Sequence, residues 1–442
     1  MTTMRLTASE VRDDYVPGFD EAAFRALAGH GREPDILSKK REEAFGIYRC
    51  IPSPTTRDEE WRRTDPATFS FAGLKRLPDL VAGPLRQKSP WDDQFDVVVS
   101  VSDDRLSMED PSGVLGTDRA QVMLLADAAR TIPGVVEQYL QGAAQPDRPR
   151  KFAMLNDAFW NAGLVVHIPR KTTLDRGILI RYQHKAHGGI LLPRLLVVVE
   201  EQSEVKLVEH FHSDHGAQFL CISSREMYVG RGASLKLTSL QEWGANTRHI
   251  GEDWARVERD GKVDWNTISL GGKVSKIMVG CNVCEPNGNA LLSGLFFADG
   301  DQHFDQGTLQ LHAARDTHSN LLYKGAVKDR GYSVYQGIIH AKPGAIGVEA
   351  YQMNNNLVLN DGARADSLPS LEIDADDLKC SHGSTIGTLD REQLFYLRSR
   401  GLSDVEARRI LVAGFFEDVV AKVPYAFLQE RLREHIERKI GK

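Results

Sequence analysis

The sequence predicts a mostly β chain in which a strand-rich middle lies between two helical regions. From about Leu164 to Ile373, short apolar stretches alternate with polar residues, and a period of two is typical of strands. In one such run, Val205 and Leu207 alternate with charged residues. Turn signals recur between the stretches, and over about two hundred residues no helical period is visible. The turn signals are Gly230-Arg231-Gly232, Asp260-Gly261, Gly271-Gly272, Asn287-Gly288, Asp299-Gly300, Pro343-Gly344 and Asp361-Gly362. A sandwich, a large barrel and a β-solenoid all fit this pattern, since no tight repeat selects one of them.

Charge, hydropathy and cysteine content argue against a nucleic-acid-binding, membrane or disulfide-rich protein. The 442 residues are 41% hydrophobic and carry a net charge of −6 with five cysteines. Acidic and basic residues are mixed without a basic stripe, so we do not expect nucleic acid as a partner. The N-terminal sequence MTTMRLTASEVRDD has no apolar signal core, and apolar runs such as Leu195 to Val199 are far too short to span a membrane. An odd number of cysteines does not make a disulfide framework. We therefore expect a cytoplasmic, reduced protein without membrane contact.

The N-terminal region, residues 1–163, is expected to be mainly helical. Helix-forming residues with apolar positions at helical spacing cover Phe19 to Ala28 and Asp35 to Tyr48. Asp92 to Val101 is strand-like. Gln121 to Leu140 is apolar and Ala-rich with Pro133 inside it, which indicates two short helices. Asn156 to Gly163 is predicted to be one more short helix, after which the β core of residues 164–386 begins.

The C-terminal region, residues 387–442, is predicted to be a helical domain that forms an independent small bundle. Asp390 to Arg400 is helix-like, with Asp390 and Gln393 as a possible N-cap pair. Ser403 and Glu406 form a capping box for the next helix. The apolar stripe of that helix comprises Ala407, Ile410, Leu411, Gly414, Phe415 and Val419. The last helix has Pro424 in its first turn and apolar residues at Leu428, Leu432, Ile436 and Ile440.

The candidate chemistry lies just before this helical tail. Leu371 to Ile386 is strand-like, and side chains at i and i+2 of a strand point to the same face. Cys380 and His382 therefore share a face, with Ser384 next in line. A thiolate and an imidazole are suitable ligands for iron, zinc or copper. Two ligands do not complete a site, so other segments or a partner chain must supply the rest. From spacing alone, a buried thiol beside a hydrogen-bonded core histidine is the favoured interpretation.

Other candidate groups carry weaker signals. Cys281 and Cys284 form a lone CxxC pair, and odd spacing in a strand sends the two sulfurs to opposite faces. The group His210, His212 and Asp214, with His215 beside it, could bind metal, but solvent-exposed loop histidines are commoner. The carboxylates of Glu372, Asp374 and Asp376 could serve a β-helix carbohydrate lyase or hydrolase. A solvated strand edge is the favoured explanation of these carboxylates.

Several long segments make the chain resemble the SufB/SufD family, the scaffold subunits of the SUF iron–sulfur cluster assembly machinery. The segments are EEAFGIYRCIPSPTTRDEEWRRTD, LNDAFWNAGLVVHIPR, PRLLVVVEEQSEVKLVEH, YKGAVKDRGYSVYQGIIH, YQMNNNLVLNDGARADSLPSLEI and KCSHGSTIG followed by LD and LFYLRSRG. The resemblance implies a right-handed parallel β-helix core flanked by N- and C-terminal helical regions. It also implies a scaffold rather than an enzyme, which pairs with SufB through the β-helix and with the SufC ATPase through the C-terminal helices. The absence of a GxxxxGK[ST] phosphate loop agrees with an ATPase supplied by another chain.

Within that family the sequence is most like SufD. SufB typically has a cysteine in the segment that aligns with Gln352 to Asn356, and this chain has none there. SufB also has a His-Glu-Ala-Thr run where this chain has His382-Gly383-Ser384-Thr385, and a glycine has no side chain to act as a ligand. The resemblance implies that His382, with Cys380 beside it, helps hold a transient iron–sulfur cluster shared with the partner, and that no cofactor is tightly bound to the isolated chain. A SufB-like homodimer, or a homodimer formed when SufB is absent, remains the alternative.

The first tail helix contains the expected partner surface. Phe395, Tyr396 and Leu397 are consecutive, and successive helical residues are about 100° apart, so one face cannot bury all three. At least one is expected on a second surface, which either the solenoid end or a partner covers. With the resemblance, the SufC-binding residues are predicted to be Phe395, Tyr396, Leu397, Arg398 and Arg400.

Overall fold

The computed structural model describes residues 13–28, 33–85, 89–116, 118–141, 150–185 and 187–441. Residues 1–12, on which the expectation of a chain without a signal sequence depends, lie outside these ranges. The strands are β1 Lys75–Arg76, β2 Val81–Ala82, β3 Val97–Ser102, β4 Arg105–Glu109, β5 Gln121–Leu124, β6 Ala162–Ile168, β7 Ile178–His184, β8 Gly189–Leu191, β9 Pro193–Val199, β10 Glu204–Ser213, β11 Leu220–Val229, β12 Ser234–Glu242, β13 Arg248–Val257, β14 Lys262–Ser269, β15 Val274–Val283, β16 Asn289–Ala298, β17 His303–His312, β18 His318–Val327, β19 Tyr332–Ala341, β20 Glu349–Val358, β21 Arg364–Ile373 and β22 Lys379–Gly387. The helices are α1 Glu21–Ala28, α2 Asp35–Cys50, α3 Leu125–Thr131, α4 Pro133–Tyr139, α5 Lys151–Phe159, α6 Arg391–Ser399, α7 Asp404–Val420 and α8 Ala426–Ile440.

The strands form two sheets that face each other around a common core. From β9 onward, odd-numbered strands belong to one sheet, which we call sheet A, and even-numbered strands belong to the other, sheet B. From β9 onward, neighbouring strands in each sheet pair in parallel; β13 and β15, for example, pair in register over their whole length, whereas the N-terminal pairs β3–β4 and β5–β6 are antiparallel. This arrangement is a parallel β-solenoid of about eight turns. The β-helix that the resemblance implies is therefore confirmed, and the sandwich and barrel alternatives are excluded.

The predicted turn signals mark the corners of the solenoid. Each of them falls between two consecutive strands. Asp260 and Asn287 adopt left-handed backbone conformations with φ of 56° and 62°, which Asp, Asn and Gly tolerate better than other residues. Such residues recur because the chain must turn from one sheet to the other within a few positions.

The solenoid interior is filled by alternate residues of both sheets. Val205 and Leu207 of β10 point inward with Val263 and Trp265 of β14, and all four are buried in one continuous apolar cluster. Because pairing is parallel and in register, residues aligned along a sheet share the same face. The inner or outer orientation of any core residue can therefore be assigned from its aligned neighbours.

The N-terminal region packs on the outer face of sheet A. Phe45 and Tyr48 of α2 contact Phe159 of α5 edge to face, and the cluster continues to Ile222 and Ile250 of the sheet. The predicted helices at Phe19 to Ala28 and Asp35 to Tyr48 and the pair around Pro133 are confirmed, within a few residues at their ends. Three boundaries differ from the predictions: α5 begins at Lys151, Gln121–Leu124 form strand β5, and β3 begins only at Val97. For Gln121–Leu124, pairing with β6 outweighs the local helix preference.

The helical tail does not form an independent bundle. α7 and α8 lie against the outer face of sheet B, where Val412, Phe416 and Leu432 join Leu240 and Leu295 in one buried cluster. The prediction of the apolar face of α7 is partly wrong, because Ile410, which was assigned to that face, is exposed. The capping box of Ser403 and Glu406 is present. The buried residues of α8 are Leu428, Leu432, Ile436 and Lys439, and Tyr425 rather than Pro424 lies next to the helix start.

Candidate functional site

The last strand of the solenoid presents the predicted Cys–His pair. The segment Leu371 to Ile386 consists of two strands, because β21 ends at Ile373 and β22 begins at Lys379 after a turn. On β22, Cys380 pairs with Ala350 of β20 and His382 pairs with Gln352. Ala350 and Gln352 are buried inner residues, so Cys380 and His382 also face inward. The i, i+2 relationship places their Cα atoms about 6.6 Å apart.

These inward-facing side chains lie at an open end of the solenoid, which we call the mouth. β21 and β22 are the last strands of sheets A and B, and each has a paired neighbour on one side only. The inner face of this last turn is therefore exposed: Leu371, Ile373 and Ile386 are 38%, 40% and 50% accessible. Inner residues at the equivalent positions one turn earlier, such as Ile339 and Ala341, are completely buried.

The two candidate ligands have different surroundings. Cys380 is half-buried in a small apolar cluster with Ile339, Ala341 and Ala350. Burial raises the pKa of its thiol, while a backbone hydrogen bond with Ala350 lowers it; the net pKa lies above the usual value. His382 is exposed. The thiol must therefore lose a proton before it can bind a metal, whereas a neutral imidazole binds directly.

The mouth supplies only part of a coordination shell. Within the described ranges, no group of three or more His, Cys, Asp or Glu side chains is arranged to hold a metal ion. Cys380 and His382 are two candidate ligands that face the interior at its open end. Two ligands leave most coordination positions of a metal ion unfilled.

A polar floor lies directly beneath the mouth. Ser384 Oγ donates to Ser367 Oγ at 2.7 Å, and Ser367 Oγ donates to Asn354 Oδ1 at 2.6 Å. Asn354 is completely buried, as is Gln352 on the same strand face. Sequence reasoning missed Ser367, Asn354 and Gln352 as members of this region. Their proximity to His382 depends on pairing between strands about 30 residues apart, and no local pattern signals it.

Gly383 lies on the opposite face from the Cys–His pair. A Cβ atom at this position would lie 2.8 Å from Cε and 3.0 Å from Sδ of Met353. Met353 therefore covers the outer face of β22 at this point. A longer side chain here would point away from His382.

The predicted partner residues of α6 are largely exposed. Asp390 accepts hydrogen bonds from the backbone of Glu392 and Gln393 and caps the helix. Phe395 and Tyr396 are 74% and 55% accessible, whereas Leu397 is half-buried. None of the residues in this helix is buried.

Two cationic side chains frame this apolar pair. Arg398 and Arg400 are exposed. The Arg400 guanidinium lies 5.1 Å from the centre of the Tyr396 ring, and Arg398 lies 3.6 Å from Asp404. As expected from helix geometry, no single face covers Phe395, Tyr396 and Leu397 together, because the first two side chains are exposed.

The structure corrects the interpretation of His210 as a solvent-exposed loop histidine. His210 is buried on β10, and its Nε2 lies 2.8 Å from Glu242. Arg431 and His435 of α8 bind the same carboxylate at 2.7 Å. Burial alone would raise the pKa of Glu242, but the hydrogen bonds from His210 and His435 hold it well below its usual range. His212 does share a face with His210, as predicted, with ring centres 4.9 Å apart. This group attaches α8 to sheet B.

The CxxC pair has no common face. Cys281 is buried in the solenoid interior, whereas Cys284 lies in the following turn and donates to the Val257 carbonyl at 3.2 Å. Both thiols are free, and burial raises the pKa of each. Cys281 is therefore a core thiol and Cys284 a turn thiol.

The carboxylates near the end of β21 engage a histidine. His340 Nε2 lies 3.0 Å from Asp374, and its Nδ1 lies 3.6 Å from Glu372. The two carboxylates therefore contact opposite sides of one ring instead of facing each other. Asp376 is exposed in the turn before β22. No pair among these three carboxylates is arranged across a cleft as acid and base.

Comparison with known proteins identifies the family. Residues 182–415 match the family described as "SUF system FeS cluster assembly, SufBD core domain". An iron–sulfur cluster assembly SufBD family protein of Mycobacterium tuberculosis is 35% identical over 289 residues, which cover 64% of this chain and 72% of the relative. A relative with the same family name from Mycobacterium leprae is 32% identical over 308 residues, covering 68% and 77%. One from Staphylococcus saprophyticus is 27% identical over 289 residues, covering 65% and 62%. Across the described residues, no helix is both long and apolar enough to cross a membrane.

Proposed function

The chain belongs to the SufBD family of iron–sulfur cluster assembly proteins, and from this membership we propose that it is a SufD-like scaffold subunit. In this role it pairs with a SufB-like chain and with the SufC ATPase in the cytoplasm, and it lends ligands to a nascent cluster without catalysing a reaction itself. The observation that carries the proposal is the position of His382 and Cys380 at the open mouth.

The uncapped last turn of the solenoid supports a partner interface at this end. A repeat architecture requires a cap at each end, because the last repeat otherwise exposes its inner face. Leu371, Ile373 and Ile386 are such exposed inner residues. The unpaired edges of β21 and β22 also offer backbone hydrogen-bonding groups to another strand. We assign the mouth to the SufB-like partner, whose own last turn would cover it.

The ligands available on this chain support a SufD-like over a SufB-like role. The segment Gln352 to Asn356 contains no cysteine, and Gly383 has no side chain and faces outward beneath Met353. This chain can then contribute His382, with Cys380 beside it. The partner contributes the thiolates that clusters usually require.

The SufC contact is assigned to α6. Phe395 and Tyr396 form an exposed apolar pair next to Arg398 and Arg400, and aromatic and arginine side chains are enriched where binding energy concentrates. α7 and α8 pack along sheet B. A movement of α6 driven by SufC and ATP would therefore be transmitted to the solenoid through packed helices and would expose the mouth for transfer of the cluster.

Copurification tests this proposal. Tagged chain expressed with untagged SufB and SufC from the same organism should yield a complex of all three. Substitution of Ile373 and Ile386 by serine should release SufB and retain SufC. Substitution of Phe395 and Tyr396 by serine should release SufC and retain SufB. A chain that forms only homodimers in the presence of SufB would contradict the SufD assignment and favour the SufB-like alternative.

A further inference from the structure

Gln352 is a buried amide without hydrogen-bond partners. Its side chain is completely buried, and among the described residues neither Nε2 nor Oε1 has a partner. An unsatisfied buried donor or acceptor costs about 1–3 kcal/mol, and native structures contain few of them. A group of this kind next to a candidate site requires an explanation.

The amide lies in the layer directly beneath His382. The Cα atoms of Gln352 and His382 are paired in register on adjacent strands, which are about 4.8 Å apart, and both side chains point into the interior. Across the interior, Gly337 makes room for the amide, because a Cβ there would lie 2.3 Å from Gln352 Nε2. Pro369 pairs with Gly337 in the outermost turn. Gln352 thus extends across the interior toward Gly337 and the Tyr335 hydroxyl of β19, one strand layer below His382.

Asn354, Ser367 and Ser384 of this floor are already engaged. Asn354 Oδ1 accepts hydrogen bonds from Ser367 and Asn356, and Ser384 donates to Ser367. The Gln352 amide is the uncommitted polar group paired with His382.

We propose that Gln352 is a positioning residue for His382: its Oε1 accepts the N–H of the inward ring nitrogen and leaves the outward nitrogen bare. A histidine that binds metal almost always donates its other N–H to a neighbouring acceptor, which fixes the tautomer and the ring orientation. The hydrogen bond turns the lone pair of the outward nitrogen toward the mouth. The effect of this hydrogen bond on metal binding rests on the proposed function. The tautomer of His382 can be measured whether or not that function is correct.

Nitrogen NMR of the isolated chain tests the tautomer directly. The chain is labelled with ¹⁵N-histidine and measured at a mildly alkaline pH, where imidazoles are neutral, and the His382→Asn variant assigns the signal. Gln352→Met keeps the side-chain volume and removes both polar groups; Gln352→Leu is the second variant if the first does not fold. Gln352→Glu retains an acceptor oxygen. Asn356→Leu is the matched control, since Asn356 is another buried interior amide four residues along β20.

The expected result is one protonated and one bare ring nitrogen, with well-separated signals, in the wild type, in Gln352→Glu and in Asn356→Leu. In Gln352→Met the two signals should move toward each other, because the ring then averages between tautomers. Identical His382 signals in the wild type and Gln352→Met would overturn the proposal. So would an equal change in Asn356→Leu, which would indicate a general packing effect.

A second readout separates this inference from the proposed function. In the complex with SufB and SufC, Gln352→Met should lower iron affinity by about tenfold or more, the usual effect of losing an outer partner of a metal-bound histidine. If the tautomer changes but His382→Ala leaves cluster assembly intact, the positioning role stands and the ligand role fails. If the tautomer is unchanged while His382→Ala abolishes assembly, the ligand role stands and the positioning role fails.

Discussion

Ser384 Oγ on β22 donates a hydrogen bond of 2.7 Å to Ser367 Oγ on β21, and this contact joins the last strands of the two sheets. It closes one half of the mouth with polar groups. Elsewhere the mouth is apolar and exposed, at Leu371 and Ile373 of the same strand β21. The mouth therefore combines an exposed apolar surface with a thiol and an imidazole, which the proposed function assigns to a protein partner and to a metal.

Replacement of His382 by alanine should separate ligand chemistry from folding. The side chain is exposed, so the free energy of unfolding should change by no more than about 1 kcal/mol, the usual net contribution of one hydrogen bond such as that proposed to Gln352. Formation of the complex should persist, whereas cluster assembly should fall at least about tenfold. The measurements are thermal unfolding, copurification and iron and sulfide content after reconstitution.

Ser381→Ala is the matched control for this variant, because Ser381 lies on the same strand and faces outward. Loss of the β fold or of SufB binding in His382→Ala would identify the histidine as a structural residue. Unchanged assembly would rule out its ligand role.

Cys380→Ala should reduce assembly less than His382→Ala. The partner supplies other thiolates in the proposed complex, and burial raises the pKa of this thiol, so less thiolate is available. Because the side chain is half-buried against Ala350 and Ala341, the variant should lose about 1 kcal/mol of stability. Reconstitution and chemical unfolding of both variants, side by side, measure the two effects. A larger loss of assembly in Cys380→Ala would reverse the assignment of the principal ligand.

The chain purified alone should be colourless and contain little iron. Cys380 and His382 provide two ligands, and thiolate-rich coordination is usual for clusters. Absorption spectra and iron analysis of the isolated chain check this. A stable, stoichiometric chromophore would mean that this chain, alone or as a homodimer, completes a site.

Phe395→Ser and Tyr396→Ser should each weaken SufC binding by about 2 kcal/mol, or roughly 30-fold in Kd. Both side chains are exposed, so stability should change little. Point variants are better suited than deletion of the tail, because removal of α7 and α8 would uncover the apolar outer face of sheet B. Titration calorimetry with SufC measures the effect.

Ile47→Ser serves as the control, since Ile47 is an exposed apolar residue on α2, in the N-terminal region. It should bind SufC like the wild type. Equal affinities for all three variants would move the SufC contact away from α6.

Stability should fall as the pH is lowered from about 6.5 to 4. His312 is buried and bonds the hydroxyls of Thr317 and Ser319 at 2.7 and 2.8 Å, and burial lowers its pKa to about 4. The unfolded chain takes up this proton near pH 6.5, whereas the native state resists it until about pH 4. Between these two pH values, protonation linked to His312 alone should lower the free energy of unfolding by roughly 1.4 kcal/mol per pH unit.

His312→Gln should make this acid dependence shallower, because glutamine can bond the hydroxyls but does not titrate. Urea unfolding between pH 7 and pH 4 provides the profile. Parallel profiles for the wild type and the variant would show that His312 is not the source.

The strands and their turns could be predicted from the sequence because their signals are local. Asp260-Gly261 and Asn287-Gly288 mark corners through backbone preferences that each residue carries itself. The i, i+2 relationship of Cys380 and His382 is equally local. The sheet partner of His382 is not, since Gln352 is 30 positions away and only the register between β20 and β22 brings them together. The burial of His210 under α8 was missed for the same reason. The choice of a solenoid came from the resemblance, because alternation and turns occur in every class of β fold.

The central claim is that His382 coordinates the nascent cluster, and pulsed electron paramagnetic resonance of the reduced complex tests it most directly. The complex is assembled from unlabelled SufB and SufC with this chain carrying ¹⁵N-histidine. We expect a ¹⁵N hyperfine coupling of imidazole character that is absent from the His382→Ala complex. A fully assembled cluster without such a coupling, or one whose coupling persists in His382→Ala, would contradict it.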